Sequence, residues 1–534
     1  MTNQTEAHTP VSAWQPLRNH AFRALWLATV VSNVGTWLHD VGAAWMMTLM
    51  TDSPFMVALV QAAMTLPMFL LALPAGALSD MLDRRRYLIW VNAGMLIVAS
   101  TLAILTFGGV MSPWGLLALT FCLGIGAAML APAWQATIPE LVPSEELGAA
   151  VAINGMGINI SRAIGPALGG VLIAVAGPGA AFALNAVSFV SILYVLIQWD
   201  REPRRRSPLD EHFIGSLRAG VRYVRQSPAM HAVLIRGFAF FVFASAVWAL
   251  LPVIARDRLG QDAPGYGILL SAVGIGAVAG AALLPPIRRR LSIHAIVAGA
   301  ALIWGGVMIA LANTGDLYLA LIVMLFAGWA WMTVLSSLNL TAQHAVPSWV
   351  RARAMSVYLL VFFGSMAAGA TLWGQVASLA SPAAAMGFAG GGLVAATVAT
   401  LRFRLAEGDS FNLTPSRHWP APMVSTPVDP RDGPVMVTLE YVVVQEDSKA
   451  FADVMEEMRR IRLRDGALAW GLYRDTAAPT RYLEYFVLDS WAQHLRQHER
   501  TTVSDREAQD RVNAYHRGDD PPVVTHYLSA EPGA

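Results

Sequence analysis

The chain is 534 residues long, 55% hydrophobic and only 14% charged, with a formal net charge of +1 and a mean hydropathy of +0.49. A soluble domain carries about one-quarter charged residues, so most of this chain belongs in a bilayer, and its near-zero net charge leaves no footprint for nucleic acid. The single cysteine, Cys122, excludes an intramolecular disulfide framework and a cysteine-based metal site.

Residues 1–20 read as a polar cytoplasmic tail, and the apolar stretch after them is too long for the core of a cleavable signal peptide. A bilayer core of about 30 Å needs about 20 apolar residues per helix. Residues 21–198 hold six such segments, centred near 35, 66, 98, 124, 162 and 189. Residues 229–404 hold six more, centred near 243, 274, 302, 328, 366 and 392. Breaks with turn chemistry separate them, such as Asp52-Ser53-Pro54, Gly108-Gly109, Gly177-Pro178-Gly179 and Ser381-Pro382. The central loop, 199–228, is polar and basic from Asp200 to Arg206. It then turns amphipathic, with Phe213, Leu217, Val221 and Val224 on one helical face. Such a helix can lie on anionic headgroups; a solvated tether between two bundles is the other reading.

Residues 405–434 hold six prolines (Pro415, Pro420, Pro422, Pro427, Pro430 and Pro434) and predict an extended linker. From 435 to 530 the composition turns soluble. Val435–Val444 predicts a strand, and Phe451, Val454, Met455, Met458 and Ile461 recur at helical spacing. Two strands follow, Leu468–Tyr473 and Tyr482–Leu488, then a polar helix from Ser490 and a last strand, Val523–Leu528. The βαββαβ order predicts a ferredoxin-like domain on the cytoplasmic side. His494 and His498 stand four apart on the polar helix, but no third ligand is evident, and a solvated helix face is the simpler reading. No metal and no cofactor are expected.

The two sets of six repeat each other at an offset of 204 residues. Arg84-Arg85-Arg86 falls on Arg288-Arg289-Arg290, Gly76 on Gly280, Gln135 on Asn339 and Thr137 on Thr341. Val142-Pro143-Ser144 falls on Val346-Pro347-Ser348, Gly165 on Gly369 and Gly170 on Gly374. A duplicated hydrophobic bundle with a site between its halves is the usual build of a secondary transporter. With a cytoplasmic N-terminus, 19 arginines lie inside, from Arg18 and Arg23 through both triplets and the central loop to Arg402 and Arg404, while the outside holds only Arg256 and Arg258. The positive-inside rule therefore predicts that both termini are cytoplasmic.

Ionisable residues at membrane depth are costly and are functional candidates by default. Asp40 falls in the outward half of the first helix beside His39 and Trp37, Arg162 near the middle of the fifth, and Arg236 in the inner part of the seventh. One expectation is that Asp40 carries a proton while Arg162 pairs with it or with an anionic substrate; the other is that Asp40 meets water near the outer interface. Arg236 either serves the pathway or snorkels to the inner surface. Asn33, Gln61, Asn154, Asn159 and Asn185 line a cavity or join helices by hydrogen bonds. Trp37, Trp45 and Trp134 form apolar walls or anchor at the interface.

Two motifs carry a resemblance. The run Gly76-Ala77-Leu78-Ser79-Asp80-Met81-Leu82-Asp83-Arg84-Arg85-Arg86 resembles the loop motif between helices 2 and 3 of the major facilitator superfamily. There Gly76 permits close helix approach. Asp80 accepts charge-assisted hydrogen bonds that latch one conformation, and Arg84 and Arg85 complete a cytoplasmic gate. Leu284 replaces Asp80 in the second repeat. The run Gly165-Pro166-Ala167-Leu168-Gly169-Gly170 is similar to the GP-x-x-GG element of antiporter-type members, although Ser161 stands where the larger element has a glycine. Thr120 stands where many proton-driven members carry an arginine. Pro132 to Pro143 and Arg162 to Pro166 resemble the branch of transmembrane secretion effectors and enterobactin-exporter-like proteins, over about residues 20–405. The tail is similar to dimeric α/β-barrel domains of the antibiotic-biosynthesis-monooxygenase type.

These resemblances imply an all-α membrane bundle of twelve helices, arranged 6+6, with a C-terminal α+β domain. They imply a secondary transporter rather than an enzyme, in a bacterial inner membrane, exporting a siderophore-like molecule, drug or hydrophobic metabolite by proton antiport. The expected partners are that small molecule, the proton, the lipid bilayer and a second copy through the tail. An importer of a small metabolite, or a membrane-anchored enzyme or sensor acting through the tail, is the alternative. No phosphate-binding glycine loop with its lysine is present, which argues against ATP drive.

Overall fold

The computed structural model describes residues 12–199, 213–407, 412–416, 418–420, 422 and 424–530. The basic start of the central loop, Asp200 to Arg206, lies outside the described residues, as do the side chains of Asp80, Phe213 and Leu217. The chain forms two compact units, one of Met1–Ser207, Ile235–Leu338 and Leu359–Phe403, the other of Pro208–Leu234, Asn339–Tyr358 and Arg404–Ala534.

Among the described residues, twelve α-helices, the amphipathic helix of the central loop included, precede the tail. They are α1 (His20–Met50), α2 (Pro54–Met81), α3 (Arg84–Phe107), α4 (Pro113–Leu141), α5 (Leu147–Gln198), α6 (Phe213–Gln226), α7 (Pro228–Asp257), α8 (Ala263–Arg288), α9 (Ile293–Asn313), α10 (Leu317–His344), α11 (Arg351–Leu379) and α12 (Pro382–Thr400). The turn signals in the sequence are helix starts. Ser53 and Ser381 each cap a helix whose first residue is proline, and Ser112, Asp262 and Ser292 cap α4, α8 and α9. Asp83 of the loop motif caps α3 by accepting from the Arg86 amide.

Among the described residues, ten helical stretches are long and apolar enough to cross a membrane, and one of them, Ser144–Gln198, is 55 residues long. Gly177, at φ +78° and ψ 170°, breaks it into two membrane-length pieces. The fifth and sixth predicted spans are thus fused in α5. The 31-residue α1 falls outside those ten; it carries Ser32, Asn33, His39 and Asp40 along its length. Trp90, Val175, Tyr318 and Leu379 are each more than three-quarters exposed on the helices, an outward apolar surface that suits hydrocarbon rather than water.

Inside the bundle the two repeats pack differently. The first buries mainly aliphatic residues such as Met47, Val60, Leu102 and Leu116, with Phe182 and Phe189 among them. The second is centred on Trp331, whose ring lies 5.3 Å from those of Trp248 and Trp304 and 5.8 Å from that of Phe241.

In the second unit, β1 (Val435–Val442), α13 (Ser448–Asp465), β2 (Ala469–Arg474), β3 (Arg481–Leu488), α14 (Trp491–Arg500), α15 (Val503–Asn513) and β4 (Val523–Leu528) follow the predicted order, except that the polar helix is two helices. Thr502 and Asp505 form a capping box that starts α15 anew. The sheet order is β2-β3-β1-β4, every neighbour antiparallel. Alternate residues Val435, Val437, Leu439 and Tyr441 turn inward onto Phe451, Met455 and Met458 of α13. The proline-rich linker is fastened rather than free: the Ser416 amide donates to Thr501 O at 2.9 Å and Trp419 Nε1 to Gln509 Oε1 at 2.9 Å. On α6, Tyr223 and Val224 are buried, while Val221 of the predicted apolar face is exposed.

A Cβ at Gly328 of α10 would overlap the carbonyl oxygen of Val273 on α8. Gly328→Ala is therefore expected to lower stability by about 1–3 kcal/mol, read as a drop in the thermal unfolding midpoint of the purified protein.

Candidate functional site

The two repeats meet along a seam at the end of the bundle where α1 finishes, here termed the distal end. The GP-x-x-GG element of α5 forms one side of it. A Cβ at Gly170 would stand 2.6 Å from Ala263 O of α8, one at Gly267 2.5 Å from Pro166 O, and one at Gly274 2.8 Å from Arg162 O. The second repeat copies the arrangement. A Cβ at Gly374 of α11 would stand 2.5 Å from the Ala58 Cβ of α2, and the Phe55 amide donates to Ser378 Oγ at 3.2 Å. Gly165 packs on Trp37 of α1, and its repeat mate Gly369 on Val242 and Ser245 of α7. Four glycines found by the sequence repeat, Gly165, Gly170, Gly369 and Gly374, are thus positions of close helix approach. Nearer the end where α1 begins, Gly76 of α2 and Gly148 and Gly155 of α5 face open space.

Asp40 is half-buried on α1 and lies within electrostatic reach of Tyr266 on α8. Tyr266 is buried, and its ring stacks on Trp45 of α1 at 6.0 Å and 21°. Tyr266 was missed by sequence reasoning because nothing in a single chain says that α1 and α8 meet. Among the described residues no ion pair joins Asp40 to Arg162, which is half-buried with its carbonyl turned to Gly274. His39 is buried with its ring 5.3 Å from Phe182 and no protein partner for either ring nitrogen. Arg236 does not snorkel: it is buried, with Nη1 2.9 Å from His294 Nδ1. Of the polar candidates, Asn185 sits with Ser188 against Gly35, Trp134 Nε1 donates to Asn154 Oδ1 at 3.4 Å, and Asn159 bonds its own helix at Gly155 O. These three join or brace helices. Asn33, Trp37 and Gln61 are half-buried. At the distal end Arg256 of α7 binds Thr48 O of α1 and lies 3.5 Å from Asp52, a link between the halves that the charge count had placed only as an outside residue.

The basic cluster of the loop motif is engaged inside the first repeat. Arg84 donates to Ala136 O at 3.0 Å and pairs with Glu140, both on α4. Arg85 donates to Leu196 O at 2.9 Å and to Ile197 O on α5. The mate of Arg84, Arg288, donates to Ser337 Oγ at 3.3 Å on α10, beside a buried Leu284.

In the tail, His494 is no solvated residue. It is 2% exposed, its ring 4.7 Å from those of both His498 and His526 and 5.2 Å from that of Trp491. His526 comes from β4, so the third histidine is supplied by the sheet pairing and not by any local spacing. Burial first, then His498, His526 and Arg462, pushes His494 down to about 3, and burial, then His526, Arg462 and His418, pushes His498 down to about 4. Among the described residues no group of three or more His, Cys, Asp or Glu is arranged to hold a metal ion. Beside the histidines, Glu484 is enclosed and accepts from Tyr441 Oη at 3.1 Å, Arg462 Nε at 3.1 Å and Trp470 Nε1 at 3.0 Å.

A family model described as "Transmembrane secretion effector" matches residues 11–533. The chain is similar to an enterobactin exporter of Escherichia coli, 27% identical over 413 residues, which cover 75% of this chain and 95% of that one. It is similar to a staphyloferrin A transporter of Staphylococcus aureus, at 24% identity over 48% of this chain and 64% of the relative. Macrolide efflux protein A of Streptococcus pyogenes is 25% identical over 44% of this chain and 59% of its own length. Among solved structures, the nucleoside transporter NupG superposes with a TM-score of 0.58 at 12% identity, covering 72% of this chain and 99% of that one.

Two outcomes are expected from this geometry. Gly267→Ala places a methyl against Pro166 O and is expected to hold the distal seam open, read as at least ~3-fold faster maleimide labelling of a cysteine at Ala58 in a Cys122→Ser background. In the tail, the native state binds fewer protons than the unfolded state between the lowered folded pKa values of His494 and His498 and the ordinary value of about 6.5. Their stability contribution is complete above about pH 6.5 and falls as pH drops toward 4, by at most about 1.4 kcal/mol per pH unit for each group. Amide hydrogen exchange across α14 is expected to speed up over that window, and His494→Phe to flatten the dependence.

Proposed function

Since the chain belongs to the transmembrane secretion effector family of major facilitator transporters, and is a transporter rather than an enzyme, we propose that it exports a small organic molecule by proton-coupled alternating access. The observation that carries this reading is the match to an exporter over 95% of that relative's length. Siderophore-like compounds are the first substrate class to test, with drugs and hydrophobic metabolites behind them.

The α1 helix and both pieces of α5 complete twelve spans in this reading. The arginine distribution favours an outside distal end and cytoplasmic termini, and the likeness to a bacterial exporter favours the bacterial inner membrane. The described conformation is then closed outside and open inside. Asp40 is the proposed proton site. It stands at the seam beside Tyr266, where a charge is costly to enclose and neutralisation lowers that cost, so proton binding and seam closure are linked. Arg162 is the proposed site for an anionic group of the substrate. Asp80, with Arg84 and Arg85, is the proposed inner latch.

The tail is proposed to be a ferredoxin-like domain of the antibiotic-biosynthesis-monooxygenase type that lacks an assigned reaction. Its sheet carries Met436, Tyr473, Leu483 and Tyr527 on the face away from the helices, all exposed, which favours pairing with a second copy.

The test is extracellular metabolite profiling of a deletion strain complemented with wild type or Asp40→Asn, with and without iron limitation. A compound that leaves cells only with wild type, and at least ~10-fold less with Asp40→Asn at equal membrane abundance, supports the reading. A compound depleted from the medium only by wild type reverses the direction and overturns export.

A further inference from the structure

Arg86, Trp90, Gly94 and Val98 follow one another down α3 at a spacing of four residues, which puts them on one face of the helix. That face borders a groove of about 740 Å³ shared with α2 and α4. Two glycines hollow it out. Gly94 leaves the wall bare, with nothing within 4 Å of the place its Cβ would take. A Cβ at Gly126 of α4 would overlap Met95, so the absence of one lets Met95 sink into the floor. Tyr87, the one hydroxyl in the lining, donates to Met129 O at 3.1 Å. The rest of the groove is apolar until its mouth.

The mouth lies where α3 begins. Asp83 and Arg86 stand there, and a second hollow of about 440 Å³ beside them is lined by Asp83, Arg85, Arg86 and Ile89. Asp83 accepts from the Arg86 amide at 2.9 Å. Arg85 donates to the Leu196 and Ile197 carbonyls, neutral acceptors that leave its charge in place. The Arg86 side chain is exposed. The mouth therefore presents two guanidinium groups to one carboxylate. From Arg86 to Val98, α3 rises roughly 18 Å at about 1.5 Å per residue, close to the ~15 Å that one leaflet contributes to a hydrocarbon core. Trp90, one turn inward from Arg86 and 77% exposed, stands where indole rings gather at headgroup level.

We propose that this groove binds one anionic phospholipid, its phosphate at Arg85 and Arg86 and an acyl chain along Trp90, Gly94 and Val98. The occupant is a lipid because the groove opens on the outward apolar surface of the bundle, and because charge stands at one end with a leaflet's depth of hydrocarbon lining behind it. The headgroup is anionic because the mouth carries an excess of one positive charge, which a phosphodiester without an amine balances. The site lies wholly within α2, α3 and α4 and is independent of the direction of transport.

The test uses full-length protein in nanodiscs of equal parts phosphatidylglycerol and phosphatidylethanolamine, with retained lipid read by native mass spectrometry. Wild type is expected to retain phosphatidylglycerol at least ~5-fold over phosphatidylethanolamine. Gly94→Leu fills the groove without meeting a neighbour and is expected to lower the retained lipid at least ~5-fold. Arg86→Gln, an exposed change that tests the site even if Gly94→Leu folds poorly, is expected to bring the preference below ~2-fold. Gly306→Leu on α9, at an exposed glycine with equally open surroundings, is expected to change neither. Equal retention of the two lipids by wild type overturns the anionic headgroup. Undiminished retention by Gly94→Leu overturns the groove. Loss of the lipid on adding inorganic phosphate alone, or an adduct of another mass that Gly94→Leu removes, overturns the lipid as occupant.

Discussion

The bundle depends on backbone touching backbone across its distal seam. Lipid tails are as apolar as the helices they surround, so burial supplies little drive for helix association, and contact area at short range takes its place. That requirement explains why glycines, rather than large apolar residues, mark the seam. At Gly170, Gly267 and Gly274 the carbonyl of one helix fills the space where a side chain of the other would be. Everything else at this end follows from the spacing. With α5 and α8 this close, Tyr266 is delivered to Trp45 and to the neighbourhood of Asp40, and Arg256 is brought to the end of α1.

The tail follows a different physics. It buries Val435, Val437, Phe451, Met455 and Leu488 in an ordinary aqueous core, where the hydrophobic effect supplies the drive. Charge is enclosed there only when completed by partners, as at Glu484 with its three donors. His494 is enclosed as a neutral ring, without such partners, which is why acid is expected to act on this domain first.

The sequence was most legible where one period or one offset carried the information. Apolar runs and their turn residues located the helices to within a few residues, and the 204-residue offset marked Gly165, Gly170, Gly369 and Gly374 before their neighbours were known. The tail's strand order was readable from alternation. What stayed hidden was pairing. Tyr266 and His526 each matter through a partner far away in the chain, and no spacing rule brings them together. The solvated reading of His494 failed for the same reason, since the face of α14 that carries it is covered by β4 and not by anything nearby in sequence. Snorkelling at Arg236 failed because His294, on another helix, offers a nearer partner than the interface.

The same offset also shows where the duplicated halves diverged. The position matching Asp40 is Ala244, that matching His39 is Phe243, and that matching Arg162 is Met366. Ala244 and Met366 are buried. The acid of the loop motif, Asp80, is matched by buried Leu284. At these positions the second repeat has exchanged ionisable groups for packing, while it buries an Arg236–His294 pair of its own, and its core is the Trp331 cluster of rings. The seam thus joins halves of unlike chemistry. The first carries ionisable groups on α1 and α5; the core of the second is a cluster of aromatic rings. A seam of close contacts tolerates this divergence because its geometry is set by small residues at the contact, Gly170 and its repeat mate Gly374 among them, leaving the remaining faces of the same helices free to specialise.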